Sequence, residues 1–189
     1  MKRKPIKKSM KITIAGFILV LAAVIFSAGY VNANSRIKPP EEIYFDGKSG
    51  TETEKNLFFK VEDFYFLGDK EIRNMPELPD STIYPMEMKV ICLNIFLKNT
   101  GTTELAVDLT KYVLESEGWY NSIDPDFSYI LNPEDARLVF TLTPGETREM
   151  ILPFFMLESH FYAKEWKQIE DREFWLTFNL YPQKKMVTF

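Results

Sequence analysis

Ile12 to Val31 reads ITIAGFILVLAAVIFSAGYV, twenty residues without a charge. At about 1.5 Å per residue such a run makes a helix of roughly 30 Å, the thickness of a bilayer's hydrocarbon core. In lipid the backbone must satisfy its own hydrogen bonds, so a helix is the single-segment solution. Six cations precede the run: Lys2, Arg3, Lys4, Lys7, Lys8 and Lys11. The positive-inside rule then predicts a cytoplasmic basic tail over residues 1–11, a transmembrane signal anchor over 12–31, and everything after it outside. A cleaved signal peptide is the competing reading, with Val31-Asn32-Ala33 as a small-x-small site. The apolar run exceeds the roughly 7–15 residues usual for a signal peptide's apolar region, which favours the uncleaved anchor. No Cys lies directly after the segment, so a lipid-anchored form is not expected.

Charge separates the two parts of the chain. The net value of −4 combines that basic tail with 17 basic and 27 acidic residues from Ser35 onward. An acidic exported part is a poor match for nucleic acid, which needs clustered Lys and Arg. The expected partners are therefore the lipid bilayer through residues 12–31 and an envelope protein of unknown identity.

Residues 32–55 read as a linker and loose arm: Pro39-Pro40 favours an extended spacer, and Ile43-Tyr44-Phe45 is a candidate edge strand before an Asp46-Gly47 turn. The folded domain is expected over 56–189, beginning near Asn56. There the dominant period is two, the mark of strands. Glu87–Lys98 is the longest candidate, with Ile91, Leu93, Ile95 and Leu97 on one face. Met88, Val90, Cys92 and Phe96 lie on the other, so this strand should be central and covered. Leu57–Phe66, Leu138–Leu142, Met150–Phe154 and Phe174–Leu180 alternate likewise. Pro144-Gly145 suits a type II turn. Residues 69–85 and 121–136 read as loops. One segment reads helical: Tyr162, Trp166 and Ile169 fall at i, i+4 and i+7 behind Ser159. The fold class expected is an all-β sandwich with one short helical insertion. Leu93, Ile95, Phe140, Leu152, Phe178 and Cys92 are expected in one core.

Several stretches resemble a family of Gram-positive exported proteins. These are immunoglobulin-like domains of unknown function that occur as lipoproteins or anchored ectodomains. The similar features run from Glu87 to Leu180. They are a strand closing on Leu97-Lys98-Asn99-Thr100-Gly101, the segment Leu105–Leu109, the pair Gly118-Trp119-Tyr120, the turn Leu142-Thr143-Pro144-Gly145-Glu146, and Leu152-Pro153-Phe154. The resemblance implies an immunoglobulin-like sandwich outside the cytoplasm and supplies no catalytic residue. This chain departs from it by lacking a lipoprotein Cys and by inserting the segment around Trp166.

Chemistry is sparse. One His and one Cys leave too few ligands for the common zinc sites and too few partners for the common hydrolase triads. His160, beside Ser159, reads as a solvent-facing residue at a helix start. Asp124-Pro125-Asp126, near Glu134 and Asp135, lacks the Gly of a calcium loop and reads as a solvated acidic loop. No cofactor is expected, and the chain is read as a non-enzyme. A carbohydrate-binding or hydrolytic module using the carboxylates of 124–135 with Trp119 is the alternative. The candidate interaction surface comprises Trp119, Tyr120, Phe127, Tyr129, Phe161, Tyr162 and Trp166, because Trp and Tyr are enriched at binding hot spots. Capping of the sandwich core is the competing role for these rings.

Overall fold

A computed structural model describes residues 8–35 and 38–189. Most of the basic tail expected over 1–11 lies outside the described residues. The chain divides into two units, residues 1–39 and residues 40–189. In the first, α1 (Lys8–Asn34) is a continuous 27-residue helix, as expected of an apolar run free of Pro. Its stretch Gly16–Asn34 has a mean hydropathy of 2.0.

The second unit contains, among the described residues, β1 (Glu41–Asp46), β2 (Thr51–Glu54), β3 (Leu57–Leu67), α2 (Asp69–Arg73), β4 (Met88–Asn99), β5 (Leu105–Asp108), β6 (Val113–Ser116), β7 (Trp119–Ser122), α3 (Pro125–Leu131), β8 (Val139–Leu142), β9 (Thr147–Leu157), α4 (Ala163–Trp166), β10 (Trp175–Asn179) and β11 (Gln183–Thr188). Single 3-10 turns occupy Asp80–Thr82, Glu158–His160 and Ile169–Asp171. One sheet runs β1-β11-β10-β6-β7, a second runs β2-β3-β4-β9, and β5 pairs with β8. The fold is a β-sandwich.

The sandwich core follows from the alternation. Ile91, Leu93, Ile95 and Leu97 of β4 meet Leu152 and Phe154 of β9 and Leu176 and Phe178 of β10 in one buried cluster. Each large side chain buried there contributes roughly 1.5–3 kcal/mol. Cys92 departs from expectation. It points out of the opposite face of β4, with Met88 and Val90, into a second cluster closed by Ile72, Leu78, Phe127 and Phe155. The period of two requires this, since Cys92 and Leu93 are neighbours in sequence.

The candidate edge strand at Ile43-Tyr44-Phe45 is the centre of β1, but the arm that carries it is not loose. β1 pairs in parallel with β11 from Glu41–Gln183 to Asp46–Thr188, and β2 pairs with β3. The compact unit therefore begins at Pro40, not near Asn56. These strands read as polar because edge positions keep one face in water; Phe45 turns inward onto Phe178, ring centres 6.0 Å apart. Gly47 then carries the chain between sheets. Its amide donates to the Thr188 carbonyl at 2.8 Å, and its own carbonyl accepts from Val61 at 2.9 Å. A Cβ there would sit 2.5 Å from a Val187 methyl, so the crossing needs glycine.

The single expected insertion becomes three short helices. α2 lies in the stretch read as a loop over 69–85 and buries Ile72. α3 lies in the stretch read as a loop over 121–136. Asp124 caps it, its Oδ1 accepting from the amides of Asp126 and Phe127 at 3.0 and 3.1 Å, with Pro125 in the first turn. An Asp-Pro start is a legible capping signal. The segment around Trp166 is a single helical turn, α4, between two 3-10 turns.

A candidate interaction surface at one end of the sandwich

Register defines the two ends of the domain. Glu41, the first residue of β1, stands opposite Gln183, just after the β10–β11 loop. The last, Asp46, stands opposite Thr188, which pairs with Trp175, Glu115 and Tyr120 in turn across the sheet. At about 3.3 Å per residue the two ends of this strand are roughly 17 Å apart. The β6–β7 turn at Glu117-Gly118 and the segment 158–174 therefore share the distal end, away from the start of β1. Gly118 adopts φ +71°, which a side chain would strain.

The distal end is built from aromatic rings. Trp119 lies 5.7 Å from Phe161 with the rings tilted, and Phe161 lies 5.8 Å from Trp166; Phe174 meets Trp119 edge-on at 6.1 Å. Trp119 and Trp166 are 8% and 4% exposed, so both belong to the core. The Trp166 indole nitrogen donates to Glu87 Oε2 at 2.8 Å, tying α4 to the approach to β4. Phe161 is half-buried against them. Tyr162 alone of this group stands out in solvent, 81% exposed.

Arg172 holds the insertion in place. Its Nε donates to Ser116 Oγ at 2.5 Å, one amino group donates to the Glu117 carbonyl, and the other lies 3.6 Å from Glu165. The guanidinium sits 5.5 Å from the Phe161 ring centre. Ser116 passes the connection on by donating to the Glu173 carbonyl at 2.7 Å. A cleft of 510 Å³ opens between this frame and Ser159, His160 and Tyr162. Sequence reading missed Arg172, Glu117 and Glu165, which stand in polar stretches with no periodicity to mark them.

The other expected surface residues lie elsewhere. Phe127 is fully buried and stacks on Phe155 at 5.8 Å. It belongs to the second core cluster, because α3 turns that side chain onto β9. Tyr129 of α3 is 74% exposed, and Tyr120 is 76% exposed on the outer face of the five-stranded sheet. The seven residues thus divide into core (Trp119, Phe127, Trp166), a half-buried ring (Phe161) and three exposed tyrosines. Residue type and segment marked these seven rings, but neither says which of them face solvent.

The acidic loop is occupied by its own structure. Besides the cap made by Asp124, Asp126 accepts from Thr82 Oγ1 at 2.7 Å. Burial pushes the Asp124 carboxyl above its ordinary range, against its backbone hydrogen bonds. Asp135 is held well below the usual carboxylate range, first by the Arg137 hydrogen bonds and then by Arg148. It lines a separate cleft of 680 Å³ with Asn94, Glu134 and Arg148, and Trp119 takes no part in that cleft. Among the described residues no group of three or more His, Cys, Asp or Glu side chains is placed to hold a metal ion. Ser159 and His160 are exposed, and among the described residues their side chains make no hydrogen bond to each other.

Fold and surface together define a two-sheet sandwich domain with an aromatic-lined distal end, in a chain that begins with a long apolar helix. Residues 41–185 match the family described as Domain of unknown function (DUF5028), and the chain belongs to that family. No curated protein matches it. Among solved structures it is similar to a functionally unknown protein from Listeria monocytogenes, at 18% identity over 74% of this chain and 80% of that one, TM-score 0.48. A candidate lipoprotein from Bacillus subtilis is similar at 19% identity and TM-score 0.42. The match covers 74% of this chain and 38% of the Bacillus protein, so the chain accounts for well under half of that relative's length. An uncharacterised β-sandwich protein from Clostridium difficile is similar at 15% identity, covering 80% of this chain and 95% of that one, TM-score 0.40.

Proposed function

We propose that this protein is a non-enzymatic module held at the outer face of the cell membrane by residues 12–31, presenting the distal end of an immunoglobulin-like sandwich to another envelope protein. The observation that carries this is the opposition of the two ends. The chain reaches the domain at Glu41, and the Gly118 turn, the Phe161 ring and Tyr162 lie at the far end of the same sheet. A module tethered at one end meets its partner most freely with the other. The charge asymmetry around residues 12–31 supports the orientation. Loops held on a rigid sandwich are a common seat of recognition, and an exposed Tyr offers contact area with few rotamers to lose.

The test uses a photo-crosslinking amino acid at Tyr162 and, separately, at Tyr129, in intact cells. One discrete adduct from position 162 and none from 129 is expected. Equal adducts from both, or none from either, overturn the distal end as the contact surface. N-terminal analysis of the mature protein tests the anchor: a start at Asn34 would make the protein secreted.

A further inference from the structure

The β10–β11 loop carries exposed apolar residues at the opposite, proximal end. Leu180 and Tyr181 are 60% and 67% exposed, and Pro182 is exposed beside them. The loop is fastened. Asn179 Nδ2 donates to the Gln183 carbonyl at 2.8 Å, closing it, and Gln183 Nε2 donates to Glu41 Oε2 at 3.0 Å. The second bond ties the loop to the first residue of β1. Six residues, 35–40, separate Glu41 from the last residue of α1. Fully extended, the seven Cα steps from Asn34 to Glu41 span no more than about 25 Å. Chain length alone therefore bounds how far Glu41, to which the loop is fastened, can stand from the end of α1.

We propose that Leu180 and Tyr181 form a lipid contact that seats the proximal end of the domain on the outer surface of the bilayer; this rests on the membrane-anchoring reading above. Tyr is suited to the membrane–water interface, where its ring sits among headgroups and its hydroxyl stays wet. Leu supplies apolar area that gains from leaving water. Charge is not the driving force. Lys184 is engaged by Glu115 at 2.6 Å, and the remaining cation, Lys185, is offset by Glu41 and Glu42 on the neighbouring strand, so net attraction to anionic lipid is small. The contact can be weak and still form, because a six-residue tether raises the local concentration of the loop at the surface. Seating this end fixes which way the distal end faces, and so adds orientation to the tether.

The test uses the full chain reconstituted into vesicles of phosphatidylethanolamine and phosphatidylglycerol containing a headgroup-depth quencher lipid. An environment-sensitive fluorophore is attached at Tyr181→Cys or, for comparison, at Glu117→Cys at the distal end; buried Cys92 stays unlabelled. Several-fold stronger quenching at 181 than at 117 is expected, unchanged by high salt and reduced when Leu180→Ser is added. Equal quenching at the two positions, or a signal at 181 that Leu180→Ser leaves untouched, overturns the lipid contact. Flotation after alkaline extraction reads the anchor separately. Protein that floats without quenching at 181 refutes the loop contact alone, whereas protein that fails to float refutes the anchor and the contact with it.

Discussion

Asn132 acts as a one-residue strand beside Ile151. Its Oδ1 accepts from the Ile151 amide at 2.8 Å, and its Nδ2 donates to the Ile151 carbonyl at 2.9 Å. Ile151 lies on β9, the edge of the four-stranded sheet. Further along that edge Pro153 has no N–H to offer, its carbonyl accepts from Asp124, and the Phe155 carbonyl accepts from Asn121 Nδ2 at 2.8 Å. An open edge would template pairing with another chain. Here side chains and a proline close it.

Replacing Asn132 by Ala should leave both Ile151 groups without a partner. The cost expected is about 1–3 kcal/mol, the penalty of leaving part-buried backbone groups without partners. Urea denaturation measures it. Light scattering should also show faster self-association near the midpoint, because the edge is then free. An unchanged midpoint would mean that water replaces the amide without loss.

Trp166 and Tyr162, four residues apart, should behave oppositely. Trp166→Ala removes a 4%-exposed ring and its hydrogen bond to the solvent-exposed Glu87 carboxylate. A loss of roughly 3–5 kcal/mol is expected, as for other buried aromatics. Tyr162→Ala should stay within about 0.5 kcal/mol of the parent, as exposed substitutions do. Thermal unfolding followed by circular dichroism compares them directly, and equal losses would contradict the burial assigned to each.

Cys92 should resist thiol reagents in the native state. It is fully buried, and desolvation pushes its thiol up to about 12, so almost no thiolate exists at neutral pH. Labelling should begin where denaturant unfolds the domain, with the same midpoint as the loss of circular dichroism. Rapid labelling in buffer would show that α2 and α3 lift from β4 without global unfolding.

Acid should weaken the fold partly through Asp135. Its carboxyl is depressed in the folded state by Arg137 and Arg148, so its contribution is present above the unfolded value near 4 and is lost as pH falls through the folded one. Arg148 matters here because its guanidinium rests 3.9 Å from the Phe140 ring centre, held over it by Asp135. Asp124, raised by burial, works in the opposite direction: the native state binds its proton more tightly, which favours folding at low pH. Asp135→Asn should lower stability at neutral pH and flatten its decline in acid. Asp124→Asn, which retains a capping side chain, should steepen that decline. Denaturation midpoints at a series of pH values check both signs.

β4 was legible as a long apolar run whose residues on both faces announced that both would be covered, and β9 in part, from the alternation of Met150, Leu152 and Phe154. α1 was legible from the run of uncharged residues alone, since chain length and hydropathy suffice. The helix α3 could have been found from Asp124-Pro125, a local capping signal that the surrounding acidic residues obscured. What the sequence by itself determined, then, was the class of each long element and the separation of an apolar helix from a β domain. β1 was legible only as a candidate edge strand at Ile43-Tyr44-Phe45, and β2 was not legible at all: an edge strand needs its apolar residues on one face only, so Thr51–Glu54 read as linker until a neighbour supplies the hydrogen bonds. The fate of the aromatic rings was likewise decided in three dimensions. Trp119 and Trp166 are core because Phe161, Phe174 and Arg172 converge on them from other segments, while Tyr162 has no such neighbours and stays in water. The opposition of the two ends depends on pairing Glu41 with Gln183, 142 residues later. Local periodicity reports which way a side chain points from its own backbone, but only packing against distant segments decides what it meets there.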